Sequence, residues 1–248
     1  MIEIVTHCYN PPGTDQYAQL LKWQLASLAN HPPKTRYQIT VCHWDRDEAM
    51  FEMIEGLKEL CLGVSLSFLP MEQGKLFRRA IGRNIRAKRT KAKVVWFTDC
   101  DYLFGEGCLD TVVDLVSQNM GLCIPATVKI NVDHATGNAA IERERHNTHP
   151  QIIESEFKER REKKAIGGIQ IIGGSLANHI GYLDGTSWVD PVDASKGFRS
   201  CRCDKVWRTK NKLASTRLPI SNCYRMRHEL DGRDYDDIGT KGEGKVNW

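Results

Sequence analysis

Val94-Val95-Trp96-Phe97-Thr98-Asp99-Cys100-Asp101 is the most informative stretch of this chain: an apolar run that ends abruptly in two carboxylates separated by one residue. Such a run reads as a buried strand that gives way to a loop. In an open α/β sheet, ligands bind beyond the carboxyl ends of the strands, so Asp99 and Asp101 are expected to project toward a substrate. Two carboxylates this close repel each other unless a cation or hydrogen-bond donors offset the charge. A hard divalent ion, Mn2+ or Mg2+, suits them, because it takes oxygen ligands and bridges to phosphate oxygens. A helix cap or turn is the other common use of Asp. The place of the pair, at the end of an apolar strand, favours the chemical reading.

Working outward, the segment just before this strand is basic. Between positions 75 and 93 nine residues are Lys or Arg and none is acidic. A helix predicted over 77–91 sets Arg79, Arg83 and Arg86 within one to two turns of one another. Guanidinium forks donate parallel hydrogen bonds to a diphosphate, so Arg79 and Arg83 are expected at a phosphate site. For Lys88, Lys91 and Lys93 a solvated helix face is the simpler account. Further strands are predicted at 2–8, 37–42 and 64–69, and helices at 17–28 and 49–60. This alternation argues for an α/β fold with a mostly parallel central sheet flanked by helices.

The chain has 248 residues, of which 41% are hydrophobic, enough for a sizeable core. No apolar run approaches the roughly 18–20 residues that a membrane span requires. The amino terminus opens directly on a strand pattern, so the chain is expected in the cytoplasm of its host cell. Nine cysteines without a Cys-x-x-Cys pair indicate neither a disulfide framework nor a zinc knuckle. Cys201 and Cys203 read as thiols. The stretch from 131 to 164 is polar and highly charged, and is expected to form an exposed helix pair or a mobile lid. One domain over 1–248 is expected, with 1–125 binding nucleotide and metal and 126–248 binding the acceptor.

Three motifs in order resemble the GT-A fold glycosyltransferases, particularly the large inverting family 2. They are Ile4-Val5-Thr6-His7-Cys8-Tyr9-Asn10, then Arg83-Asn84, then Trp96-Phe97-Thr98-Asp99-Cys100-Asp101. The likeness runs over residues 1–110 and fades afterwards. It implies that Asp99 and Asp101 hold Mn2+ or Mg2+ against a nucleoside-diphosphate sugar. It also implies that Thr6, Tyr9 and an acid after the second strand, here Asp45, grip the nucleoside. The family usually carries an acidic pair directly after that strand, where this chain has Cys42-His43-Trp44-Asp45. Gly168, in Gly167-Gly168-Ile169-Gln170, resembles the glycine that lets donor and acceptor approach the backbone. Asp204 corresponds to the catalytic base, with Cys203 where a Glu is usual, and Asp190 and Asp193 are rivals. His228, in Arg225-Met226-Arg227-His228, resembles the late metal-binding His of some members. His146 and His149 read as bystanders.

The activity so implied is transfer of a sugar to an acceptor hydroxyl with inversion, the acceptor being a glycan or a small molecule; the lack of a membrane segment and the surplus of Lys and Arg beyond what one diphosphate needs also permit modified DNA. A nucleotidyltransferase would want a glycine-rich basic loop after the first strand, and a Rossmann dehydrogenase a Gly-x-Gly-x-x-Gly. Neither is present. A nucleic-acid-binding protein would explain the basic block and leave Asp99 and Asp101 unexplained.

Overall fold

The computed structural model describes residues 1–10, 14–116, 120–194 and 202–228; Cys201 and the acid-rich stretch at 231–237 lie outside them. The first half alternates strand and helix: β1 (Ile2–Cys8), α1 (Gln16–Asn30), β2 (Tyr37–Trp44), α2 (Glu48–Gly56), α3 (Lys58–Cys61), β3 (Leu66–Met71), α4 (Gln73–Leu76), α5 (Arg79–Arg89) and β4 (Val94–Phe97). The second half holds β5 (Tyr102–Phe104), α6 (Cys108–Leu115), β6 (Cys123–Pro125), β7 (Thr127–Asn131), α7 (His134–Arg143), β8 (Phe157–Arg161), β9 (Gln170–Gly173), α8 (Gly174–Ile180), α9 (Cys203–Lys210), β10 (Thr216–Leu218) and β11 (Cys223–Arg225).

A seven-stranded sheet in the order β10-β6-β9-β4-β1-β2-β3 forms the centre. Strands β3, β2, β1 and β4 are parallel, and β9 runs antiparallel between β4 and β6. All seven residues of β1 are buried, Glu3, Thr6 and His7 among them, so the strand shows no alternation of apolar and polar positions. The helix expected over 49–60 breaks into α2 and α3 after Gly56, whose freedom in the unfolded chain makes a helix interior costly.

The polar stretch expected to be a helix pair or a lid is instead part of a second sheet, in the order β5-β11-β7-β8, with α7 beside it. Ala140 and Ile141 of α7 are buried, as are Val128 and Ile130 of β7. The polar stretch is docked on α1: Nζ of Lys22 donates to the carbonyls of Glu144 and Arg145 at 2.6 and 2.7 Å, and Asn30 donates to the Pro150 carbonyl at 3.0 Å. Among the described residues no helix is long and apolar enough to cross a membrane.

Candidate functional site

Asp99 and Asp101 lie just past the carboxyl end of β4, and α1 braces the turn that carries them. Nε2 of Gln24, itself fully buried, donates to the carbonyls of Asp99 and Tyr102 at 3.1 and 2.9 Å. On α5, Nη1 of Arg79 and Nη2 of Arg83 both donate to Oδ1 of Asp99, at 2.5 and 3.1 Å. Burial pushes the Asp99 carboxyl up, but the charges of Arg79, Arg83 and Arg225 outweigh burial and hold it well below the usual carboxylate range. Asp101 accepts from Nε of Arg225 at 2.9 Å through Oδ2, and Nε2 of His228 stands 3.9 Å from the same oxygen. Oδ1 of Asp101 is buried and has no hydrogen-bond partner among the described residues.

Arg83 is not where a ligand reaches it. Its side chain is fully buried, and its two Nη groups share five acceptors: Gln170, Tyr182, Asp99 and the carbonyls of Thr98 and Gly167. The diphosphate contact expected of it is therefore corrected to an internal one, because every Nη hydrogen already has a protein acceptor. Arg79, with 16% of its side chain exposed against none for Arg83, is the arginine of the two on Asp99 that reaches solvent. Arg86 also turns inward, donating to buried Glu3 at 2.6 Å. Much of the basic block is thus consumed inside the fold, leaving Lys88, Arg89 and Lys91 exposed.

Gly168 needs correction too. A Cβ there would sit 2.1 Å from the ring of Tyr102, so the space that its missing side chain leaves is filled by protein. Gly167 is the glycine at the acids: its Cβ would come 2.8 Å from Oδ2 of Asp99. Thr6 is fully buried in β1, and Asp45 is exposed in the turn after β2. Tyr9 packs edge-on against Phe77 at 4.5 Å between ring centroids and tilts toward Trp44 at 6.4 Å. The buried acid beyond β2 is Asp47, which the sequence reading missed. Its carboxylate accepts from the backbone and side chain of Asn10 at 3.0 and 2.9 Å and from N of Met50 at 3.1 Å, locking the ends of β1 and β2 together. Asp after a short turn is a helix-capping signal that the sequence did carry.

Asp204 stands in the first turn of α9, half-buried. Through Tyr182 this turn is coupled to the acids: Tyr182 accepts from Arg83 at 3.1 Å, donates to Gln170 at 2.8 Å and stacks on Trp207 of α9 at 4.4 Å. Burial, then Cys203, keeps the Tyr182 hydroxyl un-ionised, and the charge of Asp204 adds to that effect. Asp190 and Asp193 are exposed, on a segment that packs on α4, where N of Val192 donates to the Gly74 carbonyl at 2.9 Å.

The chemistry of the donors fits a divalent cation: two carboxylates, an imidazole and one buried carboxylate oxygen without a hydrogen-bond partner among the described residues. They are not gathered around one point, however. Among the described residues no three His, Cys, Asp or Glu side chains stand close enough together to hold a metal ion. The two carboxylates are paired with guanidinium groups instead, Asp99 with Arg79 and Arg83 and Asp101 with Arg225. Two surface cavities, of about 530 Å³ beside Met1 and Arg36 and about 260 Å³ beside Lys22 and Arg145, include none of these residues.

No protein-family model matches the chain, and no curated protein sequence does. Among solved structures it is similar to the mannosyltransferase PcManGT from Pyrobaculum calidifontis in complex with GDP-Man and Mn2+, with a TM-score of 0.55 and 15% identity. The match covers 96% of this chain and 59% of that one, so this chain spans well under two thirds of the mannosyltransferase. The galactosyltransferase LgtC, in complex with donor and acceptor sugar analogs, follows at a TM-score of 0.48 and 14% identity, covering 83% of this chain and 69% of that one. S. aureus TarS gives 0.46 and 16%, covering 93% and 58%. With the strand order above, the first of these likenesses shows the architecture: the chain has the GT-A fold.

Proposed function

We propose that this chain is a glycosyltransferase that moves a sugar from a nucleoside-diphosphate sugar to an acceptor hydroxyl with inversion, using Mn2+ or Mg2+. The observation that carries the reading is the turn Asp99-Cys100-Asp101 at the carboxyl end of β4 with Arg79 beside it, where an α/β sheet binds its ligands. The mannosyltransferase of the same fold was solved with GDP-Man and Mn2+. Asp99, Asp101 and His228 are the side chains that would hold the ion, and they would have to draw together around it. When bound, it offsets the negative charge that develops on the leaving diphosphate.

The chain's own groups divide the remaining work. Arg79 binds diphosphate oxygens, while Arg83 pins the turn from beneath. Tyr9 and Trp44, on neighbouring strand ends, give the nucleoside an aromatic wall. Asp204 takes the proton from the attacking hydroxyl, and its place at the start of α9 is fixed relative to the acids by Tyr182. Seven buried thiols with no disulfide among the described residues suit a cytoplasmic setting.

Thermal-shift measurements against nucleoside diphosphates, with and without Mn2+, test the reading. One nucleotide is expected to raise Tm in a metal-dependent way, since a ligand of the native state stabilises it by mass action. No response to any nucleoside diphosphate would remove the proposal.

A further inference from the structure

The site holds more positive than negative charge. Arg79 and Arg83 face Asp99, Arg225 faces Asp101, and His228 stands behind it. The three guanidinium groups are not equivalent. Arg83 is immobilised by five acceptors with none of its side chain exposed, whereas the side chain of Arg225 is 32% exposed. The backbone of Arg225 is fixed: it pairs with Tyr102 across β11 and β5, and N of Met226 donates to the Asp101 carbonyl at 2.8 Å. Its guanidinium lies over the Tyr102 ring at 5.4 Å and, among the described residues, makes a single bond, through Nε, to Oδ2 of Asp101. Both Nη groups are left to reach elsewhere. Meanwhile Oδ1 of the same carboxylate is buried without a hydrogen bond among the described residues. A half-satisfied buried carboxylate beside a cation that can swing away is poised for exchange.

We propose that Arg225 is an internal countercation for Asp101, released when a diphosphate draws its guanidinium off the carboxylate, so that metal and nucleoside diphosphate bind together rather than metal alone. The inference rests on the function proposed above and adds an order to it. Before the donor arrives, Arg225 occupies the position a divalent ion would take and suppresses metal binding. When the diphosphate arrives, Arg225 exchanges a carboxylate oxygen for a phosphate oxygen, a contact that guanidinium makes equally well. Asp101 is then free to turn both oxygens to the ion. A dication entering with a nucleoside-diphosphate sugar, whose diphosphodiester carries two negative charges, leaves the net charge of the site unchanged.

The test is a titration of the protein with Mn2+ alone, followed by the electron paramagnetic resonance of free Mn2+, and repeated with GDP and with UDP. Wild type is expected to bind Mn2+ weakly alone and more tightly with one of the nucleotides. R225Q removes the countercation, so its affinity for Mn2+ alone is expected to rise about tenfold, equivalent to about 1.4 kcal/mol. R225K keeps the charge and is expected to stay near wild type. R225M, checked for folding by circular dichroism, is the second neutral variant and is expected to behave as R225Q. Neutral variants within about twofold of wild type for Mn2+ alone, about 0.4 kcal/mol, would overturn the inference. If neither nucleotide tightens Mn2+ binding to wild type, the paired binding fails. Absence of a thermal response to every nucleoside diphosphate is the separate result that removes the glycosyltransferase reading.

Discussion

Nε2 of Gln24 donates to the backbone carbonyl of Asp99 at 3.1 Å, so a helix in the first thirty residues holds the turn that carries both acids. The same nitrogen reaches the Tyr102 carbonyl at 2.9 Å, and Oγ of Ser27 one turn later accepts from N of Phe104 at 3.0 Å. Replacing Gln24 by Leu leaves two buried carbonyls short of a donor, and is expected to cost about 1–3 kcal/mol in urea denaturation. As a positioning residue Gln24 has a second readout. The KM for the donor is expected to rise in Q24L, and a donor KM equal to that of wild type would show that the turn needs no brace.

Arg83 and Arg79 touch the same oxygen of Asp99 and are expected to fail differently. Arg83→Ala leaves Gln170, Tyr182 and Asp99 without their shared cation, at a cost of about 3–5 kcal/mol. Arg79→Ala removes a partly exposed group, so most of the fold's stability is expected to remain while nucleoside-diphosphate affinity drops. Calorimetric unfolding and nucleotide titration of the two variants side by side separate these roles. Equal stability losses would contradict the division.

His7 supplies a pH dependence. Its ring is buried between β1 and α5, where a Cβ on Gly82 would come 2.6 Å from Nε2, and neither ring nitrogen has a hydrogen-bond partner among the described residues. Burial, reinforced by Arg83 and Arg79, lowers its pKa well below the ordinary 6.5. The unfolded chain therefore binds a proton below pH 6.5 that the folded chain refuses. Stability from this group is complete above 6.5 and falls as the pH drops through that value, by up to about 1.4 kcal/mol per pH unit. Asp99 adds a similar loss only below about its ordinary 3.8. Denaturation of wild type and of His7→Gln between pH 5 and 7.5 checks this, and the variant is expected to show a flatter profile.

Asp204→Asn keeps the shape of the first turn of α9 and removes the proton acceptor. Its kcat is expected to fall by about 10²–10⁴ with donor affinity unchanged. If Asp190→Asn or Asp193→Asn produces the larger loss, the base lies on the exposed segment against α4 instead.

The first half of the chain was legible because its signals are local. β1 spans Ile2 to Cys8 as expected to the residue, and β4 and α5 fall within two residues of expectation. The second half was less legible because its order comes from distant partners. Strands β7 and β8 carry charged residues on their open face, and only Val128 and Ile130 betray a buried one. The burial of Arg83 was hidden for the same reason: Gln170 and Tyr182 lie 87 and 99 positions further on. Gly168 was read for a ligand because a glycine records only that something comes close, and here the something is Tyr102.

The location of β9 has a consequence for how the chain comes off the ribosome. This strand fills the gap between β4 and β6, yet it is synthesised more than seventy residues after β4 ends. A nascent chain reaching only position 125 therefore shows β4 with a bare edge, an open template for pairing with another molecule. Closure waits for a contact that is remote in sequence, which slows folding. The acids, their arginines and the sheet that bears them consequently come into being together and late, and a cotranslational chaperone would find its substrate in that interval.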